Sequence, residues 1–170
     1  EAEIDYGVEF SKGYGPYMKV ATGGTYATYQ EAAEELIQGC IDIADEVGNT
    51  KIGRPNTAIS EEDRNYIESL YALNSIEDFQ DNIRSIQNAY CGSQAGDASV
   101  SDYIKSVDAN LDAECRKAIE DAINAIGQIA EPFALDANAK GAAATNAVKV
   151  VGTDLVNVLN KVNAKLSAQD

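Results

Sequence analysis

The sequence predicts an all-α protein: a four-helix bundle of the up-down type, preceded by an irregular Gly/Tyr-rich N-terminal segment. Three observations carry that expectation. Four stretches repeat apolar residues at steps of three and four, which at about 100° per residue gathers them on one side of a helix. Only 3 prolines occur in 170 residues, and 45% of the residues are hydrophobic, enough for one domain with its own core. The stretches are separated by runs rich in Gly, Ser, Asn and Asp, residues that favour turns. Four amphipathic helices joined by loops bury their stripes most simply against one another.

Residues 1–26 form an arm or linker, because Gly13, Gly15, Gly23 and Gly24 with Pro16 interrupt the chain too often for a long helix. Tyr14 and Tyr17 in it can pack on a neighbouring bundle or cover the domain's own core. The bundle then occupies 27–170. Its first long helix is expected over 28–47, with Tyr29, Ala33, Leu36, Cys40, Ile43 and Val47 as the stripe and Gly48-Asn49 as the stop. Glu31, Glu34, Glu35, Asp42, Asp45 and Glu46 share this helix with no basic residue in the interval. The first three suit the positive end of the helix dipole, and the set reads as a solvated face. Asp42, Asp45 and Glu46 also have spacing that could meet a hard cation, but without a coordinating loop that spacing is not specific.

A polar loop with Arg54 and Pro55 follows. Arg54 is expected to be exposed, or else to reach Asp78 or Asp81 on the next helix. Ser60 caps a short helix running to about residue 71. Asn74 or Ser75 then starts a central helix whose stripe is Ile76, Phe79, Ile83, Ile86 and Tyr90. Ser75 and Asp78 approximate a capping box, with Asp in place of Glu or Gln. Residues 91–101 form a loop and 100–104 a short helix. Asp108 caps the third long helix, which buries Leu111, Cys115, Ile119, Ala122, Ile126 and Ile129 and stops at Glu131-Pro132. The last helix covers 142–168 with Val148, Val151, Leu155, Val158, Val162 and Leu166 inside. From 140 to 170 the chain has 4 lysines against 2 aspartates, a mildly basic complement to the acidic first helix.

The central helix has a second face that is patterned differently. Asn74, Ser75, Asp78, Asp81, Asn82, Ser85 and Asn88 lie together beside its apolar stripe, with Arg84 one turn from Asp81 and Asn88. Solvated helix faces favour Lys, Glu and Gln; Asn, Asp and Ser compete with the backbone and cost helix stability. This concentration of short polar side chains predicts a face that meets another protein surface, so Asn74, Ser75, Asp78, Asp81, Asn82, Arg84 and Asn88 are the candidate ligand-binding or inter-half site.

Other chemistries are excluded by composition. Thirteen basic against 28 acidic residues give a net charge of −15, which repels nucleic acid and anionic membrane surfaces. No run approaches the ~18 apolar residues of a transmembrane segment. The chain has no histidine, so it holds no Ser-His-Asp or Cys-His arrangement and no zinc-protease motif. No Gly-rich phosphate loop is present. An Asp78/Asp81 carboxylate pair is the remaining acid/base candidate, and adjacent acids on a helix more simply cap, pair with Arg or face water. Cys40, Cys91 and Cys115 lack metal-type spacing; Cys40 and Cys115 fall on apolar stripes and read as buried free thiols, against a disulfide or a reactive thiol in an oxidising compartment.

NSIEDFQDNIRSIQNAYCG, together with LIQGCIDIADEVGNTKIGRP before it, resembles the C-terminal half of the imelysin-like family, peptidase family M75, over about residues 26–130. The resemblance implies a bacterial extracytoplasmic protein of the periplasm or an outer-membrane lipoprotein, built from two helical-bundle halves and associated with iron acquisition. The family's Gly-x-His-x-x-Glu motif belongs to the N-terminal half and is absent here. The start at Glu1, with no Met and no signal peptide, fits a fragment or processed product. The implied partner is that N-terminal half, and any metal ion would be bound mainly by it. Three readings follow: one wall of a polar ligand or metal site serving iron or iron-chelate uptake, a metallopeptidase whose motif lies in the missing half, and a structural bundle without ligand.

Overall fold

Four helical rods stand side by side in the computed structural model, which describes residues 26–92 and 98–168. The expectations for the arm 1–25, including Tyr14 and Tyr17, and for the middle of the 91–101 loop lie outside the described residues. The first rod is α1 (Tyr29–Asp45), extended by a π-helical stretch (Glu46–Ile52) and α2 (Gly53–Asn56). After the short α3 (Glu61–Arg64) comes the second rod, α4 (Ser75–Cys91). The short α5 (Val100–Val107) leads into the third rod, α6 (Ala109–Gly127). The fourth, entered through α7 (Asp136–Ala139), is α8 (Ala142–Lys149), a second π-helical stretch (Val150–Leu155) and α9 (Val156–Ser167).

The rods close a ring: α1 packs on α4 and α9, and α6 packs on α4 and on the fourth rod. Neighbours run antiparallel. Gln80 meets Ile123 and Tyr90 meets Asp112 between α4 and α6, while Glu114 meets Lys161 and Asp108 meets Lys165 between α6 and α9. All the described elements are helical, so the apolar stripes, not strand pairing, hold the fold. Phe79, Ile83, Ile86 and Tyr90 from α4 and Cys115, Ile119 and Ile126 from α6 are buried as expected. Phe79 meets Phe133, after α6, edge to face at 5.4 Å, the arrangement that ring quadrupoles favour. Thr28, Ser60, Ser99 and Asp108 each cap a helix by accepting from a backbone N–H three residues on.

Several expectations are corrected. The first helix does not stop at Gly48-Asn49. It winds on through its π-helical stretch because Gly48 is needed there as a contact surface: a Cβ on it would overlap the backbone of Gly152, in the second π-helical stretch, and lie 3.1 Å from the carbonyl carbon of Val151. Missing a Cβ thus outweighs glycine's preference for a helix end. The last helix carries the matching irregularity and is not uniformly α-helical over 142–168. In α1 the buried set is Ala32, Ile37, Cys40, Ile41 and Ala44; Tyr29 is 69% and Leu36 37% exposed. Both flanks of that helix carry apolar residues, so the three-four period fits more than one rotational phase. The helix after Ser60 ends at Arg64 rather than near residue 71, and Ser69 and Leu73 adopt positive φ of 57° and 55°, left-handed turns that a helix cannot include. The third helix ends at Gly127, before the Glu131-Pro132 bond.

Candidate functional site

The central helix α4 begins where the turn before it folds back on its start. The expected capping box is not formed: Asn74 occupies the cap position but its side chain accepts from no backbone N–H of the helix, and Ser75, buried, donates its hydroxyl to the carbonyl of Glu68. Asp78 accepts instead from the hydroxyl of Ser69 and from the Asn74 amide at 3.0 Å. The positive φ at Ser69 makes this possible, because the left-handed turn brings residue 69 beside residue 78. Glu68 is held in the same place by Lys51 at 2.8 Å.

The seven predicted residues therefore divide. Asn74, Ser75 and Asp78 are tied to the chain's own turn. Asn82, half-buried, donates to the carbonyl of Asp78 at 2.9 Å, and Ser85 donates to the carbonyl of Asn82. Asp81 pairs with Arg84 at 2.5 Å, both exposed, and Asn88 is exposed. Arg54 does not reach Asp78 or Asp81. It bonds Asp63 at 3.1 Å and lies 4.1 Å from the centre of the Tyr66 ring, a cation–π contact within its own loop. The Ser60 hydroxyl and then Arg54 hold Asp63 below the usual carboxylate range. Local partners win because residue 63 lies nine positions along a single turn, whereas Asp78 is already satisfied by Ser69.

This wall alone does not suit a metal ion. Asp78 and Asp81 are each committed to another side chain, and among the described residues no group of three or more cysteines, aspartates and glutamates is placed to hold one. What the face does offer is a row of hydrogen-bonding groups at different depths, from buried Ser75 through half-buried Asp78 and Asn82 to exposed Asn88.

Two features escaped the sequence. On the side of α4 facing α1, Ser85, Ile86 and Ala89 meet Leu36, Gly39, Cys40 and Ile43 across an open groove of about 340 Å³, with Tyr26 and Glu35 at its edge. Mid-helical Gly39 was the available signal. On the α6 side, Asp112 is buried and accepts from Tyr90 at 3.0 Å, from Ser101 and from Arg116. Burial works to raise its pKa, but these donors outweigh burial and leave it below the ordinary carboxylate value. Burial likewise pushes the Tyr90 hydroxyl above its usual range, and neighbouring Cys115 and Asp112 add to that. Cys40 and Cys115 are buried free thiols as expected, raised by burial to about 11 and about 12; Cys91 is free and half-buried.

No helix among the described residues is long and apolar enough to cross a membrane. No curated protein matches the chain. Two solved structures share its fold. One, described as an imelysin peptidase from Bacteroides ovatus, is 32% identical with a TM-score of 0.83, covering 91% of this chain and 46% of its own. The other, from Parabacteroides distasonis and described as an iron-regulated protein A precursor, is 26% identical with a TM-score of 0.74, covering 86% of this chain and 45% of its own. The chain thus spans less than half the length of either. The family model described as Imelysin, Peptidase_M75, matches residues 4–166, nearly the whole sequence, and the chain belongs to that family.

Proposed function

We propose that the chain is the C-terminal half of an extracytoplasmic bacterial imelysin-like protein, where α4 forms one wall of a polar ligand or metal site between two helical bundles. The service of that site is iron or iron-chelate uptake. The observation that carries the reading is the row Asn74, Ser75, Asp78, Asp81, Asn82, Arg84 and Asn88, whose Asn, Asp and Ser residues are poor helix formers and only part of which the chain's own turn employs. The half-length match to two larger structures supports a second bundle, and one of these is described as iron-regulated. Histidine and any full metal-ligand set would come from that other half, bearing the Gly-x-His-x-x-Glu motif; this chain's groups would orient a ligand or hold its polar edge.

Asn82→Ala and Asp81→Ala, placed in the complete two-half polypeptide, test the reading by titration with ferric citrate and by the association of the separated halves. Weaker binding or weaker association is expected from at least one substitution. Both quantities unchanged in both variants would overturn it. A metallopeptidase is the second reading, favoured by the description of the Bacteroides ovatus protein as a peptidase. Incubating the complete polypeptide with casein and divalent metal distinguishes them: cleavage lost on chelation supports the enzyme, and intact casein supports the binder.

A further inference from the structure

We infer that the groove between α1 and α4 docks a helix of a partner protein that carries an apolar ridge flanked by lysine or arginine. This goes beyond the polar site proposed above, since the groove borders that face only at Ser85 and takes a macromolecular occupant.

The first support is Gly39. A helix interior is where glycine is costly, and two buried helical glycines show what usually justifies one: Gly48 and Gly152 would each clash with a neighbour if they gained a Cβ, whereas Gly39 is exposed. At Gly39 a Cβ would meet nothing within 4 Å. Nothing described inside the chain uses the missing atom. Gly39 lines an open groove with Leu36, Cys40 and Ile43 of its own helix and with Ser85, Ile86 and Ala89 of α4, of which Ser85 and Ala89 are also short. Such a trough admits the side chains of another helix to close range.

Charge supplies the second support and selects the occupant. The carboxylates of α4, α6, α7 and the fourth rod that stand near a base are paired: Asp81 with Arg84, Asp108 with Lys165, Glu114 with Lys161, Asp121 with Lys117, Asp136 with Lys140 and Asp154 with Lys149. The first rod concentrates the opposite case: among the described residues none of Glu31, Glu34, Glu35, Asp42, Asp45 and Glu46 forms an ion pair, whereas on α4 and α6 this holds only for Glu77, Asp78 and Glu120. The hydrogen bonds that Glu31, Glu34, Asp42 and Asp45 accept come from amides. Glu35 lines the groove and the others belong to the same rod. An apolar trough lined by unpaired Glu35, on a helix whose other acids are also without ion pairs, is complementary to a basic amphipathic helix and repels an acidic one. A second copy of this chain is disfavoured by its net charge of −15.

The probe is a synthetic 18-residue helical peptide with Leu at i, i+3, i+4 and i+7 spacing and Lys on its flanks, compared with the same peptide carrying Glu in place of Lys. Binding to the full chain is read by fluorescence anisotropy. Two variants separate the contributions. Gly39→Leu fills the trough without changing charge, and Glu35→Gln with Asp42→Asn removes charge without filling it. Circular dichroism establishes that each remains folded. The Lys peptide is expected to bind, the Glu peptide not to; Gly39→Leu weakens binding at least tenfold at constant salt, and the charge variant weakens it several-fold and flattens its salt dependence. Unchanged affinity in Gly39→Leu would show that net charge alone holds the peptide, and would overturn the proposal. So would absence of binding, or concentration-dependent dimerisation that Gly39→Leu abolishes, which would assign the groove to a second copy. Asn82 and Asp81 are untouched, so this proposal and the polar site can fail separately.

Discussion

Gly48 and Gly152 cross backbone against backbone where the two π-helical stretches meet, and the side-chain amide of Asn49 fastens the crossing by donating to the Gly152 carbonyl at 3.2 Å and to Asp45 at 2.7 Å. The two glycines are not equivalent. A Cβ on Gly48 meets main chain, which cannot step aside; one on Gly152 meets the Asn49 amide at 2.6 Å, which can rotate away. Gly48→Ala is therefore expected to destabilise by about 3 kcal/mol and Gly152→Ala by about 1 kcal/mol. Urea unfolding reads both as shifts of the midpoint at constant slope. Equal losses would mean that the rods separate as rigid bodies instead of local side chains yielding.

The buried carboxylate of Asp112 joins α4, α5 and α6 through Tyr90, Ser101 and Arg116. Asp112→Ala strands two buried hydroxyls and is expected to cost about 3 kcal/mol. The effect of pH follows from its lowered pKa. The unfolded carboxyl titrates near 3.9, so the stabilisation is fully present above that value and is lost as pH falls through the lower folded value. The stability gap between the native chain and Asp112→Asn should stay constant from neutral pH to about 5 and close below about 4. A gap that persists at pH 2 would show that shape, not charge, holds this junction.

Gly39→Ala is expected to stabilise the isolated chain by about 0.5–1 kcal/mol, because the added methyl meets open space while helix propensity improves. Thermal unfolding checks the sign. A loss of stability would mean that the groove closes on itself in solution.

The cysteines should react in order of exposure. At pH 8, burial holds Cys40 and Cys115, with pKa values of about 11 and about 12, as protonated thiols out of a reagent's reach. Half-buried Cys91 should react first with a disulfide reagent in the native chain, and denaturant without reductant should release all three at once. Fewer than three free groups under denaturing conditions would contradict the free-thiol geometry.

The sequence by itself determined the helical class, the apolar faces of α4 and α6, the cap at Asp108 and the unusual polarity of α4, because periodicity and capping act over a few neighbouring residues. It also excluded histidine chemistry in this chain. Tertiary structure decided what depends on residues far apart in the chain. Whether Gly48 ends a helix or continues one turns on Gly152, 104 positions away. The burial phase of α1 depends on having α4 on one flank and α9 on the other. Arg54 took Asp63 and Tyr66 because Ser69, in a left-handed turn, had already claimed Asp78. Local patterns state which contacts a residue is able to make; only packing settles which of the competing partners reaches it first.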